Sequence, residues 1–178
     1  MSGPRITHTR HTAIGRGSRT TTPDPNKPRF SAFFVLLNTN KAPRTDAEAN
    51  LWGRDLQDAL GAVIDHEWRD VIKFRDGVTQ NGRIDAIRVN SAPEIGPKFG
   101  KLHLHALIEI DHRVQGGGIH LRPRALKEAV RRRGNTAAVR ALPAIWVRGF
   151  TSQAALHHYI AKGLHTNLDL SQFSGPGS

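Results

Sequence analysis

The sequence predicts an α+β fold, an antiparallel five-stranded sheet with helices packed on it. Three observations predict it. Residues 102–110 alternate apolar and other side chains with a period of two. Three segments carry apolar residues at helical spacing. Strand-like runs interleave with them in the order β-α-β-β-β-α-β-α. At 178 residues the chain holds one domain with tails, large enough to bury a sizeable core.

Residues 1–28 are rich in Arg, Thr, Gly and Pro and poor in large apolar side chains, which predicts a basic, disordered tail. Its Arg5, Arg10, Arg16 and Arg19 read as solvated more readily than as a DNA-contacting arm or nuclear-localisation signal. The Phe, Val and Leu run of Phe30 to Asn38 predicts a buried strand. From Asp46 to Trp68, Leu51, Leu56, Leu60, Val63, Ile64 and Trp68 recur near helical spacing, and Thr45 with Glu48 resembles a capping box. Strands are predicted at Asp70–Phe74 and Arg83–Glu94, with a turn near Asp76-Gly77 between them. A flexible Gly116-Gly117-Gly118 follows the alternating strand. Pro123 to Arg133 reads as a helix with proline in its first turn and Gly134 past its end. Ala144–Phe150 is a strand and Ser152–Leu164 a helix. The domain is expected to span 29–168, with 169–178 a flexible tail or linker remnant.

Composition narrows the chemistry. The absence of cysteine removes disulfides, thiolate nucleophiles and cysteine-ligated zinc, and is compatible with a reducing compartment. The longest strongly apolar run, Phe33 to Leu37, is far too short to span a bilayer. The polar, basic N-terminus lacks the apolar core of a signal peptide, so no secretion and no membrane partner are expected. A formal charge of +11 calls for a polyanionic partner, a demand that ribosomal or architectural binding also meets.

The alternating strand carries the chemistry. Leu102, Leu104, Ala106, Ile108 and Ile110 fall on one face, and His103, His105, Leu107 and Glu109 on the other. Two imidazoles at i and i+2 are half of a metal site, or two solvated histidines on an open sheet face. With ten histidines in the chain, about half an H-x-H arises by chance, so the pair alone decides nothing. Glu94 precedes Ile95 to Gly100, a stretch with the glycines and proline of a hairpin loop. A hairpin centred between Lys98 and Phe99 sets Glu94 opposite His103, about 5 Å away at Cβ. Glu109 shares the face but lies roughly 13 Å beyond His105 along the strand, a poorer third ligand. In the last helix, Tyr159 (the single tyrosine) and Lys162 project from one face, while Ala155, Leu156, Ile160 and Leu164 form the opposite, packing stripe. A phenol with an ordinary pKa near 10 needs a cation or metal beside it to attack at neutral pH. By itself, Tyr-x-x-Lys is a common accident, usually the rim of an amphipathic helix.

Taken in order, His103-Leu104-His105 on a strand and Tyr159-Ile160-Ala161-Lys162 on a later helix resemble the motifs of the HUH endonuclease superfamily. They are most similar to the single-tyrosine rolling-circle replication initiators (Rep proteins) of small circular single-stranded DNA viruses. Val35-Leu36-Leu37-Asn38-Thr39-Asn40 is the counterpart of their first motif, although Thr39 separates asparagines that the family pattern sets side by side. The resemblance spans about Arg29 to Thr166. It implies an RRM-like HUH nuclease sheet and an enzyme that nicks and joins single-stranded DNA at a replication origin, one that can form a hairpin. Glu94, His103 and His105 would bind a divalent metal, Mn²⁺ or Mg²⁺, with this donor set favouring Mn²⁺. Tyr159 would be the nucleophile, leaving a 5′-phosphotyrosine and a free 3′-hydroxyl, with Lys162 at the phosphate or the phenolate. A viral origin in a eukaryote implies the host nucleus, and any other origin the cytoplasm.

Asn38 and Asn40, with Arg122, Arg124, Lys127 and Arg131 (and the neighbouring Arg132 and Arg133), are candidate DNA contacts, although a solvated basic helix face is an equal reading of the arginines. Trp52, Trp68 and Trp146 are expected in the core rather than as base-stacking platforms. HUH transposases and plasmid initiators share the motif order. A cupin spacing runs from His103 through Glu109 to Gly116, but the helices contradict a nearly all-strand fold. Two-histidine phosphoesterases need two His-x-Ser/Thr motifs, and none occurs. A non-catalytic single-stranded nucleic-acid binder with an RRM-like sheet is the rival from another class.

Overall fold

The computed structural model describes residues 28–74, 83–113 and 118–159. The tail expected at 1–28 (Pro28 aside), the Asp76-Gly77 turn, Gly116, Gly117, Lys162 and the tail at 169–178 lie outside the described residues.

The elements follow in the order β1 (Arg29–Asn38), α1 (Asp46–Val71), β2 (Ile72–Phe74), β3 (Arg83–Ile95), β4 (Leu102–Arg113), β5 (Ile119–Leu121), α2 (Pro123–Arg133), α3 (Ala137–Arg140), β6 (Ile145–Phe150) and α4 (Gln153–Tyr159). The fold is α+β, but the expected five-stranded sheet divides into a four-stranded antiparallel sheet, ordered β3-β4-β1-β6, and a separate β2-β5 ribbon. The physical reason is at the end of α1. The helix runs to Val71, three residues past the expected Trp68, and β2 begins at Ile72 with no linker to carry it to the sheet. It pairs instead with β5, a strand the sequence did not reveal, whose continuation donates Arg122 N–H to Val71 O at 2.8 Å. Ile72, Ile119 and Leu121 are buried and close that end of the core.

In the main sheet β1 runs parallel to β3, with α1 between them in sequence, and β4 parallel to β6, with α2 between them. These are two interleaved split βαβ units, a βαββαβ arrangement. Strand alternation then sorts the side chains. Phe33, Val35, Leu37, Leu104, Ala106, Ile108 and Ile110 face α1 and α2, and meet Leu56, Leu60, Val63, Leu126 and Val130 in the main core. The opposite face carries a smaller cluster of Ala32, Phe34, Leu107 and Phe150, covered by Leu156 of α4. Of the stripe expected to pack there, Leu156 is buried, Ala155 is exposed, and Ile160 and Leu164 lie outside the described residues.

Two local features hold the helix layer. Thr45 Oγ1 accepts from Glu48 N–H, and the Glu48 carboxylate accepts from Arg44 N–H, so the expected capping box closes one residue early. Asp55 of α1 is buried and accepts from the backbone N–H groups of Asn135 (2.9 Å) and Thr136 (2.7 Å) and from the Thr136 hydroxyl (2.7 Å). Those bonds fix the start of α3, a one-turn helix absent from the expected element order.

Candidate metal and nucleophile site

The β3-β4 hairpin builds the site. Gly96 N–H donates to Lys101 O at 2.8 Å and Gly100 N–H to Gly96 O at 2.9 Å, with Gly100 at φ 61°, a left-handed conformation that glycine adopts without strain. This turn sets the register, and Glu94 pairs directly with His103, as the expected hairpin centre requires. On the other side of β4, His103 pairs with Asn38 of β1, so Glu94, His103 and Asn38 form one row across three strands. In the next row, Ala92, His105, Leu36 and Trp146 come from four. All of these side chains stand on the sheet face opposite α1 and α2, the face that α4 covers in part.

His105 is buried, with its ring 5.9 Å from Phe34, and its Nε2 lies 3.2 Å from Glu94 Oε2. Burial pushes its pKa down, the Glu94 carboxylate opposing and His103 reinforcing the shift. The neutral imidazole that this shift favours is the form able to ligate a metal. The ring centroids of His103 and His105 are 6.3 Å apart. His103 rests against Gly96, where a Cβ would come within 2.7 Å of its Cε1 and 2.9 Å of its Nε2, so the turn glycine makes room for the ring. Two donors sharing one ion at about 2.1 Å each stand roughly 3.0–3.4 Å apart, and the Glu94–His105 pair has that separation. The donors fit a divalent ion in kind, and two of them fit in spacing. No three His, Asp or Glu side chains among the described residues are grouped as a metal site.

Glu109 sits two rows from His105, opposite Arg88, whose guanidinium lies 3.8 Å from it and 2.7 Å from Asp111. It belongs to an ion-pair cluster at the far end of the strand. Asn38 and Asn40 separate. Asn38 joins the histidine face with a buried Oδ1, whereas Asn40 lies beyond the strand end, lining a recess with Lys41, Trp52 and Ala137. Between them, Thr39 is buried and its hydroxyl bridges to Leu102 N–H at 3.1 Å, tying β1 to the start of the histidine strand. Arg122, Arg124, Lys127 and Arg131 are on the helix layer, across the sheet from the histidines. Arg131 donates to Arg140 O at 2.7 Å, and Arg132 and Arg133 grip Glu67 of α1 at 2.8 and 2.6 Å.

α4 ends at Tyr159, one turn past Leu156, which is seated on the histidine face. The placement of the tyrosine side chain lies outside what is described. Trp146 departs from expectation. Trp52 and Trp68 pack on the main core, but Trp146 is 46% exposed on the histidine face, in the row of His105. Its position on the outward parity of an edge strand was available from the alternation of Ile145, Val147 and Gly149. No protein-family model, no curated protein and no solved structure matches the chain.

Proposed function

We propose that the protein is a metal-dependent, single-tyrosine endonuclease that nicks and rejoins single-stranded DNA, of the kind that initiates rolling-circle replication. The observation that carries this reading is the convergence of Glu94, His103 and His105 on one sheet face, with Glu94 paired to His103 and 3.2 Å from His105. It is supported by α4, which packs on that same face and ends in the single tyrosine.

Glu94, His103 and His105 would hold a divalent ion, which when bound supplies Lewis-acid polarisation of the scissile phosphate. Tyr159 gives up its phenolic proton to solvent, its Oη attacks phosphorus in line, and the O–P bond forms as the P–O3′ bond breaks. The products are a 5′-phosphotyrosine and a 3′-oxygen that takes a proton from solvent. A second 3′-hydroxyl reverses the step and joins strands, the phenol recovering its proton. Lys162 offers a cation to the phosphate or to the phenolate. Asn38, flanking His103, is the nearer of the two asparagines to the histidine pair. The basic residues of α2 can contact only a strand that wraps around the sheet edge.

Incubation with single-stranded DNA and Mn²⁺ is expected to give a protein–DNA adduct that survives denaturant, and Tyr159→Phe is expected to give none. Gly96→Ala tests the histidine cradle without touching a ligand. Its Cβ displaces the His103 ring, so Mn²⁺ affinity by calorimetry should fall about tenfold while the melting temperature changes little, comparable to the loss of an outer-shell support. Unchanged affinity would mean that the ring position set by Gly96 is irrelevant to the metal.

One observation favours a second reading. The split βαβ sheet with an exposed tryptophan on its open face suits a non-catalytic single-stranded nucleic-acid binder. That protein would bind DNA without metal and form no adduct.

A further inference from the structure

We infer that Trp146, with Arg148 beside it, forms a subsite on β6 that stacks one nucleobase of single-stranded DNA and contacts the adjoining phosphate. This rests on the reading of the histidine face as a DNA-processing surface. Trp146 is a large apolar side chain that folding has left 46% exposed. Its ring is held edge-on by Phe34, at 6.1 Å between centroids and 66° between planes, and Phe34 in turn contacts His105 at 5.9 Å. The tryptophan packs one edge on Phe34 and stands in the same cross-strand row as His105 with only Leu36 between them. Base–aromatic stacking uses an accessible π-face, single-stranded bases expose the faces that a duplex buries, and a nearby cation adds a phosphate contact. Arg148 supplies the cation. It is exposed two residues along the same strand face, with its guanidinium 5.5 Å over the Phe150 ring. The chain's +11 charge suits a polyanion over an apolar peptide as occupant.

The test uses the full chain and a fluorescein-labelled oligothymidine, read by anisotropy in EDTA so that binding is separated from cleavage. Trp146→Ala should weaken binding about tenfold with an unchanged salt dependence, and Trp146→Phe should stay within about threefold of wild type. Arg148→Ala should lower the slope of log affinity against log salt by about one. Leu51→Ala, equally exposed but on the helix layer, should bind as wild type. The subsite is refuted if the wild type does not bind the oligonucleotide, if Trp146→Ala binds like wild type, or if Trp146→Phe loses as much as Trp146→Ala. Because no metal is present, a missing adduct in the cleavage assay counts against the nuclease reading and leaves this result standing.

Discussion

Alanine at His103 or at His105 is expected to bring metal-dependent nicking down to background, a loss of more than about a hundredfold, since even outer-shell supports of metal ligands are worth ten- to a hundredfold. The two variants should differ in stability. His105 is buried against Phe34, Leu36 and Ala92, so its truncation leaves a cavity, whereas His103 is only partly buried at the hairpin and its loss costs the fold less. His103→Ala is therefore the cleaner variant. Its salt-sensitive binding to single-stranded DNA should persist, because phosphate contacts and stacking do not pass through the imidazole. Loss of nicking and binding together would place His103 in DNA contact instead of metal binding. Full nicking by His103→Ala would remove the histidine pair from the chemistry.

The second large effect is on folding. Asp55→Ala leaves two backbone N–H groups and a hydroxyl at the start of α3 without their acceptor, and should cost about 3 kcal/mol, or roughly 10 °C in melting temperature. Burial disfavours the charged carboxylate, but the hydrogen bonds from Thr136 and Asn135 outweigh it and hold the pKa below its ordinary value. A depressed pKa means that the unfolded chain binds the proton first as pH falls. The stabilisation is complete above the unfolded carboxyl range near pH 3.9 and is lost as pH drops through the folded value. Asp55→Asn should consequently be less stable than wild type at pH 7, with the gap narrowing below about pH 4 in urea titrations. A gap that stays constant down to pH 2.5 would show that the carboxylate's charge is not what holds α3.

Much of this architecture was written in local pattern. The alternation of Leu102 to Ile110 specified both faces of β4, and the glycines and proline between Ile95 and Gly100 specified the register that pairs Glu94 with His103. Pro123, Gly134, Thr45 and Glu48 marked helix ends that the structure places within a residue of expectation. What stayed hidden depended on partners distant in sequence. Three-residue β2 and β5 have no periodicity to read, and their pairing depends on where α1 happens to end. One-turn α3 is capped by Thr136, which Asp55, some eighty residues earlier, holds in place by accepting from its N–H and hydroxyl. Residue type alone points Trp146 to the core, whereas its place on an edge strand, on the face without the large helices, leaves it 46% exposed. Charge alone leaves the arginines of α2 as either DNA contacts or a solvated helix face, and the layer order sets them across the sheet from the histidines.

Mass spectrometry of the trapped adduct tests most directly whether the strand of His103 and His105 and the helix ending at Tyr159 act as one metal-dependent site. After digestion of protein and DNA, a residual nucleotide is expected on the peptide containing Tyr159, joined through a 5′-phosphate, formed with Mn²⁺ and absent in EDTA. A nucleotide on any other residue, or no adduct with any single-stranded DNA including candidate origin hairpins, would contradict it.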